Sequence, residues 1–317
     1  MGGRIVCIVG PTACGKTELS IAVAKRCGAE IISADSVQVY RGMDIGSAKP
    51  TVAERCGVPH HMLDCVEIDT PAFSVSQYAK MAGACIDSLA AQGTLPLVVG
   101  GSGLYIAALV NPLGFAVPAD AALRETLLAE YRRAPEESYA ALGRVDPATA
   151  ARLHKNDGKR IVRALEVYRL TGKPLSSFGN DFQNEAKAAP PYDSLQIGLS
   201  MERSLLYGRI NARVDGMMAQ GFVEEAWELY QAGFSRALPA MQSIGYKQLF
   251  SYFDGLCTLS EATEMIKRDT RRFAKRQLSW FSRDARIHWI DRGDTGFPEA
   301  LERACGLIDA YRNEDSI

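Results

Sequence analysis

The sequence predicts an α/β protein: a parallel-sheet core flanked by helices, with an all-helical insertion domain. Three observations predict it. Apolar, β-branched runs alternate with helical spacings over the first hundred residues. A glycine-rich loop joins the first such run to the first helix. The stretch from 116 to 180 then holds several helical periods and no convincing strand.

The loop is Gly10-Pro11-Thr12-Ala13-Cys14-Gly15-Lys16-Thr17, which fits the P-loop pattern G-x-x-x-x-G-K-[ST]. Ile5-Val6-Cys7-Ile8-Val9 before it reads as a buried strand. Leu19, Ala22, Val23 and Ala24 to Cys27 carry helical spacing and stop at Gly28. This strand, loop and helix in register make the core P-loop NTPase-like. The two glycines let backbone N–H groups turn inward around phosphate oxygens, and the helix N-terminus adds a favourable dipole. Lys16 brings a mobile positive charge, and Thr17 a hydroxyl that can hold Mg²⁺. The ligand is therefore a phosphate or diphosphate, with ATP among the candidates by motif alone. Nucleoside-triphosphate hydrolases pair this loop with a strand ending in Asp. Here Leu95-Pro96-Leu97-Val98-Val99 runs into Gly100-Gly101-Ser102-Gly103 with no acid. That favours a phosphate acting as leaving group over one acting as energy source.

A chain of 317 residues gives one large or two moderate domains, and 47% hydrophobic with 23% charged residues is ordinary globular composition. No apolar run reaches the length of a membrane span, and no secretory signal opens the sequence. Eight cysteines without a CxxC pair fit a reducing cytoplasm. The net charge of −1 hides two basic stretches. Lys267 to Arg286 holds eight Lys or Arg against two Asp, and Arg152 to Lys173 holds seven against two acids. Together they suggest a polyanion on one face, although either alone reads as a solvated helix face.

Along the chain, Glu30-Ile31-Ile32-Ser33-Ala34-Asp35-Ser36 reads as a second strand ending in a carboxylate. Strand carboxyl ends line the ligand crevice of a doubly wound sheet, so Asp35 is expected to face whatever the P-loop holds. A long polar loop follows to Pro50. Cys56, His60, His61 and Cys65 resemble a metal site superficially, but their spacings match no standard zinc arrangement. Ser74-Val75-Ser76-Gln77 is a capping box for a helix ending at Gly93. Helices are expected at 121–131, 136–142, 148–153 and 158–170, followed by a polar loop from Phe178 to Tyr192 and a strand over 196–199. The helix from about Ser200 to Ala219 carries Leu206, Ile210, Val214 and Met217 as its stripe, with Arg209 and Arg213 beside it. Two guanidiniums there suit either solvent or an oxyanion clamp. The helix from Leu259 to Phe281 interleaves Arg268, Arg271, Arg272, Lys275 and Arg276 with Phe273, Trp280 and Phe281. Cations grip a nucleic-acid backbone and aromatics stack on exposed bases, so the mixture suits RNA or single strands. A last strand is expected over 287–290 and a closing helix over 298–312.

These residues add up to a resemblance. The chain resembles the bacterial tRNA dimethylallyltransferase (tRNA isopentenyltransferase) family through GPTACGKT at 10–17, DSVQVYRGMDIGSAKP at 35–50, PHHMLD at 59–64, FSVSQY at 73–78 and VVGGSGLY at 98–105. The match continues through NDGKRIVRALEVYRLTGKP at 156–174, RINARVDGMM at 209–218, IGYKQ at 244–248 and TRRFAKRQLSWF at 270–281. Cys14 and Ser102 stand where the family commonly has Ser and Thr; Ser102 keeps the hydroxyl, and Cys14 needs only its backbone N–H.

The resemblance implies transfer of a dimethylallyl group from its diphosphate to N6 of the adenine 3′ to the anticodon. Residues 10–17 would then cradle the donor diphosphate. Lys16, Thr17 with Mg²⁺, and Arg213 would neutralise the departing pyrophosphate, with a further hydrogen bond from Ser102. Asp35 would take the proton from, or orient, the adenine amine. Contacts to tRNA would come from Asp35, Ser36, Val37 and Gln38, from Ser102 and Arg124, from Lys159, Arg160, Ile161, Val162 and Arg163, and from Gln242 to Lys247. Arg272 and Arg276 on the basic helix would grip the anticodon stem-loop. The implied organisation is a core over 1–115 and 199–317 with a tRNA-contacting helical insertion at 116–198, in a cytoplasmic monomer. The nearest rival, an adenylate isopentenyltransferase acting on a free nucleotide, has less need of the insertion or the basic helix. A nucleotide kinase lacks its lid-type arginine pattern here. A non-catalytic RNA-binding protein would not need Asp35, Lys16 and Arg213 together.

Overall fold

β-branched runs buried on both faces make the strands, and helices with one apolar stripe cover them. A computed structural model of the protein describes residues 3–70, 73–112, 117, 120–178 and 189–313. Two compact units divide the chain, one formed by 1–110 with 190–317 and the other by 111–189.

In the first unit, β1 (Arg4–Val9) leads through the P-loop into α1 (Lys16–Cys27) and β2 (Ala29–Ala34). A two-residue edge strand β3 (His60–His61), helix α2 (Val75–Ala91), strand β4 (Leu95–Gly100) and helix α3 (Gly103–Val110) follow. Ser74 caps α2, accepting from the Gln77 N–H, while the Gln77 side chain accepts from the Ser74 N–H, so the capping box forms as expected.

The second unit holds α4 (Ala121–Arg133), α5 (Pro135–Val145), α6 (Pro147–Arg152) and α7 (Gly158–Thr171), then one 3-10 turn. Pro135 and Pro147 open their helices at positions where no N–H is needed. Leu127, Leu142, Ile161, Val162 and Leu165 make its core. The chain re-enters the first unit at β5 (Asp193–Ser200), followed by α8 (Arg203–Ala219), α9 (Phe222–Gln231), α10 (Tyr246–Phe253), α11 (Leu259–Phe281), β6 (Ile287–Asp291) and α12 (Phe297–Asn313). Because β5 pairs with β1 and β6, the segment 193–198 belongs to the sheet and not to the helical insertion expected over 116–198. Most of the polar loop expected from Phe178 to Tyr192 lies outside the described residues.

The sheet order is β3-β2-β4-β1-β5-β6, with every pair parallel. Alternation along β1 sends Val6 and Ile8 to one face, with Leu19 and Val23 of α1 and Ile308 of α12. Ile5, Cys7 and Val9 go to the other face, against Tyr78 and Ile86 of α2 and Ile106 of α3. Each fully buried aliphatic contributes roughly 1.5–3 kcal/mol. A third apolar cluster joins the loop after β2, through Val39, Tyr40 and Met43, to Phe222, Tyr246 and Phe250 and to Ile266 of α11. That cluster turns an otherwise long polar loop into a fixed wall of the crevice.

Candidate active site

The carboxyl ends of neighbouring strands are flush: Val9 lies opposite Gly100 and Gly198, and Ala34 lies opposite Gly100. The loops that begin at Gly10, Asp35 and Gly101 therefore open on one edge of the sheet, beside the last residues of β5, where doubly wound folds bind ligands.

Gly10 begins the first loop at φ 144°, and a Cβ there would lie 2.5 Å from the Leu199 carbonyl oxygen. Only glycine fits that approach. Ala13 and Gly15 also take positive φ, at 64° and 95°, and turn the loop into an anion-binding nest at the start of α1. Lys16 folds back over this nest and donates from Nζ to the carbonyls of Gly10 at 3.0 Å and Pro11 at 2.7 Å. Burial pulls its pKa below the ordinary lysine value; nearby Arg213 adds to that effect, while Cys14 and Asp35 oppose it. Cys14 is buried and serves as a small apolar side chain. From α8, Arg213 donates to the Thr12 hydroxyl at 3.1 Å. Burial lowers its pKa as well, against the pull of Cys14 and Asp35. Arg209, one turn earlier, is exposed and makes no such bond, so one guanidinium of the pair reaches the loop.

Asp35 leaves the end of β2 and accepts from the N–H groups of Val37 at 2.8 Å and Gln38 at 3.3 Å, both through Oδ1. This Asx turn fixes the carboxylate. Its second oxygen takes no hydrogen bond among the described residues and stays available to a donor. Ser102, after β4, ties this turn to its own: its hydroxyl accepts from the Ser36 N–H at 3.0 Å, and its N–H donates to the Ala34 carbonyl at 3.1 Å. Gln38 points inward, accepting from the Ser33 hydroxyl and donating to the carbonyls of Ser47 and Ala48.

Three residues that sequence reasoning did not single out hold these loops. Glu225 accepts from the N–H groups of Asp44, Ile45 and Gly46 and from the Tyr246 hydroxyl. Lys49 is buried and donates to the Tyr40 carbonyl and to the carboxylates of Asp44 and Asp64. Gln277 of α11 accepts from the Thr12 N–H and donates to the Gly101 carbonyl, both at 2.9 Å. Trp280, three residues on, occupies the space that a Cβ on Gly103 would need. The segments 98–105 and 270–281 are thus two sides of one contact. A signal for Gln277 is present in the sequence: it is an amide on the stripe of Ala274 and Phe281, where only a satisfied polar group survives burial.

The cations of α11 divide into two sets. Lys267 pairs with Asp215 and Glu264, Arg268 with Asp269, and Arg271 donates to Asn211. Lys267 and Arg271 are thereby held within the protein, so Arg271 leaves the set of five cations expected on this helix, while Arg268 stays exposed beside Asp269. Arg272, Lys275 and Arg276 are exposed; Arg272 keeps a long 3.5 Å contact with Asp269, and Arg276 lies over the Phe273 ring. Gln242 donates to the Arg236 carbonyl, and Lys247 is exposed at the start of α10.

In the helical unit, Arg124 and Arg163 both donate to Glu166, whose side chain is fully buried. Burial works against its ionisation, but the hydrogen bonds from Arg163 and Arg124 outweigh it and hold its carboxyl below the usual range. Two cations on one anion leave spare N–H groups and net positive charge. Lys159 and Arg160 are exposed on α7. Ile161 and Val162 are buried core, so their side chains contact no ligand; helical spacing alternates the two roles within five residues.

His61 pairs with Glu30, and His60 Nδ1 bonds the Val58 carbonyl. Among the described residues no three His, Cys, Asp or Glu side chains could hold a metal. The single hydroxyl of Thr17 fits only an ion that keeps its waters and shares substrate phosphate oxygens, as Mg²⁺ does. No helix among the described residues is long and apolar enough to cross a membrane.

The chain is similar to known proteins over nearly its whole length. The IPP transferase family model matches residues 38–284. A tRNA dimethylallyltransferase of Pelotomaculum thermopropionicum is 49% identical over 287 residues, covering 90% of each chain. That of Geobacter sulfurreducens is 49% identical over 293 residues, covering 91% of this chain and 92% of its own. Among solved structures, the full-length tRNA isopentenylpyrophosphate transferase of Bacillus halodurans superposes with a TM-score of 0.73 at 41% identity, over 99% of this chain and 98% of that one. A eukaryotic dimethylallyltransferase acting on tRNA gives a TM-score of 0.82 at 28% identity, over 98% and 80%. A phosphate-loop sheet without a metal-binding acid after β4, and a match of this extent, lead to one assignment: the chain belongs to the IPP transferase family.

Proposed function

We propose that this protein is a tRNA dimethylallyltransferase, which moves a dimethylallyl group from dimethylallyl diphosphate to N6 of the adenine 3′ to the anticodon. One observation carries the reading. A carboxylate held by its own turn, Asp35, shares a sheet edge and an electrostatic environment with Lys16 and Arg213, the two cations on the phosphate loop.

The chemistry follows from that juxtaposition. The C1–O bond to the diphosphate breaks, and pyrophosphate leaves with the electron pair. The adenine N6 lone pair forms the new N–C1 bond, and the N6 proton passes to the open oxygen of Asp35. Backbone N–H groups of residues 13–17, Lys16 and Arg213 stabilise the charge that grows on the leaving group. An exocyclic amine is a weak nucleophile, so orientation by Asp35 contributes alongside basicity. Thr17 would hold Mg²⁺ through its hydroxyl, and the ion would supply further charge neutralisation of the diphosphate. The adenine must leave its stack to reach this edge. Arg272, Lys275 and Arg276, with Arg124, Lys159, Arg160 and Arg163, supply the cations for the tRNA backbone.

The test is incubation with labelled dimethylallyl diphosphate, Mg²⁺ and either unmodified tRNA or AMP. Label in tRNA alone is expected. Label in AMP would instead make the protein an adenylate isopentenyltransferase, and ATP consumption without transfer would overturn the reading.

A further inference from the structure

Gln277 is 6% exposed, and the partners at both ends of its amide are backbone atoms of loops that open on the active edge. The Thr12 N–H can only donate and the Gly101 carbonyl can only accept, so the partners fix which end of the amide is which. The fit is tight. A Cβ on Gly101 would lie 2.1 Å from Gln277 Nε2, so the turn after β4 is shaped to admit this side chain. Neither contact belongs to the helix that carries Gln277, and both span most of the chain, 265 and 176 residues.

We infer that Gln277 is a positioning residue that sets the donor's diphosphate at a fixed distance from Asp35. The connection is continuous. Arg213 donates to Thr12, the Thr12 N–H to Gln277, and Gln277 to Gly101; Ser102, next to Gly101, accepts from the N–H of Ser36, next to Asp35. Without the amide, the phosphate loop and the Gly101–Ser102 turn lose the side chain that hydrogen-bonds both. The residue must offer one acceptor and one donor while uncharged, which glutamine does and a carboxylate does not. An apolar side chain of equal length would fill the same volume and serve a role limited to packing equally well. The inference rests on the proposed transfer reaction for its readout.

The experiment compares wild type, Gln277→Met and Gln277→Glu, using labelled dimethylallyl diphosphate and unmodified tRNA, with melting temperature measured in parallel. Gln277→Met is expected to keep its Tm within a few degrees and its KM for tRNA. Its kcat is expected to fall about 100-fold, the scale of a reacting group misplaced by about 1 Å. Gln277→Glu is expected to gain a pH dependence that wild type lacks, because the protonated carboxyl restores both hydrogen bonds. Its kcat should recover as pH falls and collapse as the side chain ionises. Wild-type kcat in folded Gln277→Met overturns the inference, as does a Gln277→Glu profile parallel to wild type. Should Gln277→Met fail to fold, the Gln277→Glu profile decides alone. Absence of transfer by wild type itself would strike the proposed function instead, so the two failures are distinguishable.

Discussion

The Arg213 guanidinium donates to the Thr12 hydroxyl across 3.1 Å, joining α8 to a loop that lies 201 residues earlier in the chain. This bond brings a second fixed cation to a nest that already holds Lys16. Arg213→Ala is expected to lower kcat by about 10²–10³, the scale of losing one preorganised charge donor to a developing oxyanion. Pyrophosphate inhibition should weaken in the same variant. Steady-state kinetics with added pyrophosphate check both.

Lys16 is expected to separate function from stability. Burial holds its pKa below the unfolded value, so between the two values the unfolded chain binds more protons. Stability then rises with pH through that window, and at neutral pH the charged amine favours unfolding. Lys16→Met should abolish transfer while leaving Tm equal to wild type or higher. A melting curve and a transfer assay on one preparation test this, and a clear loss of Tm would contradict it.

Asp35 has two tasks that a pair of variants can divide. Asparagine keeps an oxygen for the N–H groups of Val37 and Gln38 but accepts no proton. Asp35→Asn should retain donor and tRNA binding with kcat down by about 10²–10⁴, the range of general-base catalysis. Asp35→Ala should in addition loosen the turn and raise the KM for tRNA. Equal KM values in the two variants would argue that the turn does not depend on the carboxylate.

The two sets of cations on α11 make opposite forecasts. Reversing Arg272 and Arg276 to Glu should weaken tRNA binding and reduce the slope of log affinity against log salt by about 2, one for each phosphate contact. Lys267→Glu, which loses pairs with Asp215 and Glu264, should leave that slope nearly unchanged. Titration of labelled tRNA at several salt concentrations distinguishes them.

Glu166 ties the helical unit together. Glu166→Gln leaves Arg124 and Arg163 without their buried anion. The expected cost is about 2 kcal/mol, below the 3–5 kcal/mol typical of a broken buried pair, because both arginines stay about one-third exposed. For wild type the sign is clear. The folded pKa of Glu166 is depressed, so its contribution is present above the unfolded value and is lost as pH falls through the folded one. Chemical unfolding at neutral and acidic pH measures it.

The parts of this arrangement legible in the sequence are those written locally. The phosphate loop, the carboxylate closing β2 and the capping box at Ser74 each declare themselves within a dozen residues. What stayed hidden depends on partners far along the chain. Gln277 looks like one polar residue in a basic helix until Thr12 and Gly101 arrive beside it. Glu225 looks like a surface acid until it gathers three N–H groups of the loop after β2. Helix α9 escaped notice because Trp227 and Tyr230 break its polar face, and they stack on each other in the folded chain. The two-residue strand β3 has no pattern to read, since two histidines carry no β-branched or alternating signal.

The most direct test of the central claim is the site of modification. Unmodified tRNA would be incubated with the protein, Mg²⁺ and dimethylallyl diphosphate, then cut with a nuclease and analysed by mass spectrometry. The account expects one added dimethylallyl group, on the adenosine 3′ to the anticodon, formed by wild type and not by Asp35→Ala. An unmodified tRNA, or a group placed on another nucleotide, would contradict it.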